Sequence, residues 1–204
     1  RTDMGSSGEM LAVINGDLTL SERREDFRIR KVSSSAGDVS LSATGRAGDI
    51  YDLDTDEATP YGTTAWVTGN SVALRSSDGG IGSADDFLEI NSSNHSPGAV
   101  IALASDGVYL TETAGDLNID QVLSRNADAV VIGQLGSILE AGSGDGDPQA
   151  DVQGSNIDLI ATTAGKKIGD ASNAIEFLGA GTGQRPNDGF QIEQFSPATG
   201  RLVA

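Results

Sequence analysis

Residues 98–119, GAVIALASDGVYLTETAGDLNI, contain three short apolar runs separated by two turns. Ala99, Ile101 and Leu103 share one parity in the first run. Val108 with Leu110 and Leu117 with Ile119 are the apolar pairs of the second and third, with Tyr109 and Asn118 on the other side. A period of two sends alternate side chains to opposite faces, so each run reads as a half-buried strand. The breaks fall at Ser105-Asp106-Gly107 and Ala114-Gly115-Asp116, which are turn compositions. No helical period interrupts them.

The same phrase recurs. Gly16-Asp17-Leu18-Thr19-Leu20, Gly37-Asp38-Val39-Ser40-Leu41 and Gly48-Asp49-Ile50 match Gly115-Asp116-Leu117-Asn118-Ile119, and Gly136-Ser137-Ile138-Leu139 is a looser copy. One strand–turn unit cannot bury its apolar face, but a pile of them can. A longer repeat overlies the short one. Gly69–Leu74 resembles Gly154–Leu159, an offset of 154 − 69 = 85, and Ile81–Ile90 resembles Ile168–Phe177, an offset of 168 − 81 = 87. Gly48 against Gly136 extends the match, which points to a duplication of several coils.

The pattern predicts an all-β chain, a single-stranded parallel β-helix, with a β-sandwich as the rival because it too reads as short alternating strands with glycine turns. Residues 1–204 are expected to form one β-helical segment of a larger protein, its coils clearest over 10–178. Residues 179–204, where the pattern decays, are expected to be an atypical C-terminal coil or cap. Aromatics make up only 4% of the chain, which suits a narrow aliphatic lumen better than a conventional globular core.

Thirty acidic residues against thirteen basic ones give a net charge of −17. Such a surface repels phosphate backbones and anionic lipid, so no nucleic-acid partner and no membrane insertion are expected. There is no cysteine, hence no disulfide or thiolate metal site. The basic exception is 21–31, where Arg23, Arg24, Arg28, Arg30 and Lys31 lie together and Arg28-Ile29-Arg30 alternates like a strand with a charged outer face.

Calcium is the cofactor the acidic residues suggest, since it takes several hard oxygens at once. Asp52, Asp54, Asp56 and Glu57 form one candidate site, and Glu140, Asp145, Asp147 and Asp151 occupy the comparable region of the second repeat. Neither fits an EF-hand loop. No catalytic or other cofactor-binding residues are assigned. His95, the single histidine, lies in a polar loop without a nucleophile elbow. A polysaccharide-cleaving enzyme would need a carboxylate pair, such as Asp116 or Glu112 beside Asp78 or Asp85, and nothing marks these above other acids.

The phrases spanning Gly107–Ile119 and Ile168–Glu176 resemble the repeat regions of large bacterial exoproteins of the filamentous-haemagglutinin-like, giant-adhesin type. The likeness covers roughly residues 35–178, and Arg23–Lys31 and the tail after Gly179 depart from it. The resemblance implies a right-handed parallel β-helix in a secreted or cell-surface rod serving adhesion, cell–cell contact or biofilm. Its partners would be neighbouring coils or domains of the same polypeptide and a host or neighbouring-cell surface protein or glycan. Contact residues are expected in loops 52–61 and 91–97.

Overall fold

The structure, a computed structural model, describes residue 5 and residues 7–53, 62–142, 150–179 and 190–194. In chain order the strands begin with β1 (Met10–Ile14), β2 (Leu18–Glu22), β3 (Phe27–Ser34), β4 (Val39–Ala43), β5 (Ile50–Asp52) and β6 (Val67–Thr68). Next come β7 (Val72–Ser76), β8 (Leu88–Asn91), β9 (Ala99–Ala104), β10 (Val108–Glu112), β11 (Leu117–Ser124) and β12 (Ala129–Gly133). The last are β13 (Ile138–Glu140), β14 (Val152–Gly154), β15 (Ile157–Ala161), β16 (Phe177–Gly179) and β17 (Phe190–Gln194).

The chain alternates between two sheets. The first sheet runs β1-β3-β6-β8-β10-β12-β15-β17 with β5 beside β3, and the second runs β2-β4-β7-β9-β11-β14-β16 with β13 beside β11. Strand order within each sheet follows chain order, and the paired strands are parallel. This is solenoid packing: each strand meets its sheet neighbour only after the chain has passed through the other sheet. The sandwich reading is therefore corrected, because its hairpin neighbours would be antiparallel. The seven steps from β1 to β17 along the first sheet, at about 4.8 Å each, give a stack roughly 34 Å long.

Both sheets face one aliphatic lumen. Ile29, Leu41, Ile50, Leu74, Leu88, Ile90, Leu110, Leu117 and Ile119 are fully buried in it, with Phe27 the one aromatic ring among the fully buried side chains of the described residues. Val108, Leu110, Leu117 and Ile119 face inward as their alternation predicts. The first run is turned over: Val100, Ala102 and Ala104 fill the lumen, while Ile101 and Leu103 stay half-buried outside. Ala102 sits in register with Leu74, so a small residue faces the lumen next to a large one. Packing rather than hydrophobicity chose that face.

Aspartates at the turns tie coil to coil. The amide of Asp38 donates to Asp17 Oδ1 (3.1 Å), and that of Ser71 to Asp38 Oδ1 (3.0 Å). At another corner, Asp49 N–H donates to Asp26 Oδ1 (3.1 Å) and Gly80 N–H to Asp49 Oδ1 (2.6 Å). Ser137 N–H on Asp116 (2.7 Å) and Asn156 N–H on Asp128 (3.2 Å) repeat the device. The recurring Gly-Asp phrase thus satisfies amides that the ladders leave open at bends. Part of the acidic surplus is structural, not merely solvated.

The long repeat has an unexpected phase. Met10, Ala99 and Phe190 open equivalent strands β1, β9 and β17, spaced 99 − 10 = 89 and 190 − 99 = 91. Between β1 and β9 the chain crosses from sheet to sheet an odd number of times, so the repeat is three and a half coils. Each copy consequently lands on the opposite sheet. β3 in the first sheet matches β11 in the second: both have eight residues, nearly identical burial, and two short strands paired along them, β5 and β6 for one and β13 and β14 for the other.

Candidate functional site

The chain leaves its strands at matching places in the two repeats. In the first, residues 53–66 separate Asp52 at the end of β5 from Val67 of β6; in the second, residues 141–151 separate Glu140 of β13 from Val152 of β14. These departures contain the acidic segments singled out in the sequence. Asp52 is buried, whereas Asp54, Asp56 and Glu57 lie outside the described residues. Of the second set, Asp145 and Asp147 also lie outside them, and Glu140 and Asp151 are brought together.

A third carboxylate completes the group. Glu140, Asp151 and Glu176 place one oxygen each within 4.8 Å of one another, with Asp151 buried and both glutamates half-exposed. Val122 N–H donates to Asp151 O (2.6 Å), fixing the backbone beside β11, and Glu176 N–H donates to Asp151 Oδ2 (2.9 Å). Like charges this close raise one another's energy, and a divalent cation relieves that cost. Glu176 was missed in the sequence reading. Its signal was available, because it stands where the repeated phrase Ile81–Ile90 has Glu89, 176 − 89 = 87 residues earlier.

The first repeat builds the same place differently. Asp52, Trp66 and Glu89 stand where the second has Glu140, Asp151 and Glu176, and Val32 N–H donates to Trp66 O (2.8 Å) as Val122 does to Asp151. Glu89 is 1% exposed although it points away from the lumen, in a ladder with Thr111 and Ile132, which are equally buried. Gly62 lies against the Glu89 carboxyl, and Gln134 Nε2 donates to Gly62 O (2.7 Å), which places Gly62 over the outer face beside the end of β12. Phe87, Val130 and Ile132 make a small second core there. Tyr109 faces outward as expected, with its ring edge-on to Phe87 at 5.5 Å.

Glu112 is fully buried at the lumen corner where β10 ends. Its carboxyl accepts from Ser92 Oγ (2.6 Å), Ser92 N–H (3.0 Å) and Ala114 N–H (3.3 Å). Burial pushes its pKa up to about 7, against the opposing pull of those donors. Its repeat counterpart Glu22, also fully buried, takes the amides of Arg23 (2.9 Å) and Arg24 (3.2 Å). Both act as internal caps of a bend. Asp116, considered like Glu112 as a partner of Asp78 or Asp85 for glycan chemistry, holds Ser137 and lies 3.8 Å from Lys166. Asp78 and Asp85 are exposed, and His95 lies exposed in loop 91–97.

A scan against protein-family models finds no match, and searches of curated proteins and of solved structures find none either.

Proposed function

We propose that this chain is a structural segment of a secreted or cell-surface bacterial adhesin, a stiff scaffold whose right-handed coils space and present outer loops to other cells or surfaces. The observation that carries it is the uninterrupted parallel stack around one lumen, with corner aspartates bridging successive coils. Such a stack satisfies its backbone from coil to coil and places outer side chains at a fixed axial step. The likeness of its phrases to filamentous-haemagglutinin-like repeats supports the surface role. The test is deletion of residues 10–178 in the producing bacterium. Attachment or biofilm should fall at unchanged secretion, and undiminished attachment would overturn the reading.

A second reading, calcium-dependent stiffening, is favoured by the convergence of Glu140, Asp151 and Glu176. These three would hold the ion by their carboxylate oxygens and pin the departure after β13 to β16. Millimolar calcium should raise the melting temperature by several degrees, and Glu176→Gln should abolish most of that rise. An unchanged melting curve with calcium or chelator removes this reading while leaving the scaffold intact.

A further inference from the structure

The outer face of the second sheet carries a groove of about 310 Å³ that crosses four successive coils. Its lining comes from the end of β4 (Ser42, Thr44), the end of β7 (Arg75, Ser77), β9 (Leu103) and the turn after β11 (Arg125). Ser42, Arg75 and Leu103 are in register from coil to coil, and Arg125 follows Leu123, the register partner of Leu103. Arg75 and Arg125 are exposed, and among the described residues neither guanidinium is within ion-pair distance of a carboxylate. In a chain of net charge −17, two uncompensated arginines on one groove are a local reversal of sign.

We infer that this groove binds a linear carboxylated polysaccharide lying along the stack. Three features select that ligand. The arginines donate in the planar fork that suits carboxylates. The hydroxyls are already used as donors: Ser42 Oγ to Leu20 O (3.5 Å), Thr44 Oγ1 to Glu22 O (3.1 Å) and Ser77 Oγ to Ala43 O (3.3 Å). Their lone pairs therefore face outward as acceptors, which match the hydroxyl donors of a sugar and offer nothing to a simple anion. Finally, the coil step of about 4.8 Å is close to the length of one pyranose unit, whereas an extended peptide advances about 3.3 Å per residue. The inference deepens the scaffold reading and rests on it for the straight array of coils.

Calorimetric titration of the folded chain with a tetragalacturonate tests it, with the methyl-esterified tetramer, tetraglutamate and inorganic phosphate as comparisons. The acidic tetramer should bind, Arg75→Ala and Arg125→Ala should each weaken it about tenfold, and Arg30→Ala on the other sheet should leave it unchanged. No binding by the acidic tetramer, equal binding by its ester or by tetraglutamate, full displacement by equimolar phosphate, or indifference to both arginine variants would each overturn the site. Scattering and circular dichroism on the same samples keep this outcome separate from the scaffold reading, because both substitutions are at exposed positions and leave the stack unchanged.

Discussion

In the first repeat Asp52 and Glu89 are sealed beside Trp66, whereas in the second Glu140 and Glu176 stand half-exposed around Asp151. The positions are equivalent, and the exchange of one indole for one carboxylate separates them. Where the aromatic sits, Gly62 lies over the outer face, bound by Gln134, beside a second small core of Phe87, Val130 and Ile132. Where the aspartate sits, three acids converge instead. A duplicated frame has kept its lumen and turned one copy of its outer corner toward packing, the other toward charge.

The frame can be broken most severely at a turn that the two repeats pack unequally. A Cβ on Gly136 would run into the Gly115 carbonyl oxygen of the coil below, backbone against backbone. At the matching Gly48, the nearest atom is the Glu25 carbonyl oxygen at 3.0 Å. Gly136→Ala should cost about 4 kcal/mol and Gly48→Ala about 1 kcal/mol in urea unfolding. Equal costs would mean that the corners are packed alike.

A comparably large effect is expected from pH. The folded-state pKa of Glu112, about 7, lies above its ordinary value of 4.5 because of burial. The folded chain therefore holds this proton more tightly than the unfolded chain. That contribution is complete below the ordinary value and is lost as pH rises through about 7. The loss amounts to about 3 kcal/mol between the two limits. Urea unfolding at pH 4.5 and pH 8 should show it as a difference between wild type and Glu112→Gln. A pH-independent difference between them would show that the bend does not depend on this proton.

Smaller, and aimed at what the repeats share, are the corner aspartates. Asp38 accepts from Ser71 N–H and Asp128 from Asn156 N–H, at equivalent corners of the two copies. Asp38→Ala and Asp128→Ala should each cost about 1 to 2 kcal/mol. A cost at one position alone would show that the coil-bridging device survives in only one repeat.

Much of the fold was legible in residues 98–119, because a lumen enforces strict alternation and each bend needs its glycine and its acceptor. Val108, Leu110, Leu117 and Ile119 face where their spacing puts them. The first run misled because Ile101 and Leu103 are more apolar than Ala102 and Ala104, yet it is Ala102, in register with Leu74, that faces the lumen. The phase of the long repeat was hidden as well. An offset in sequence gives no count of crossings between sheets. Of the acidic site, Glu140 and Asp151 were read from local crowding, while Glu176 arrives from the next coil, and contact across coils leaves no local mark. The burial of Glu22 and Glu112 was hidden for a related reason: a carboxylate at the end of an apolar run reads as the start of a loop until the amides that surround it are seen.

The odd number of crossings per repeat bears on multivalency. Two equal grips on one side of a rod would reinforce each other on a single target, as linked sites do when geometry permits both to engage. Here successive copies look away from one another across the lumen. Under the scaffold reading proposed above, neighbouring repeats would present their equivalent loops to opposite flanks, and only every second repeat would add its hold to the same body.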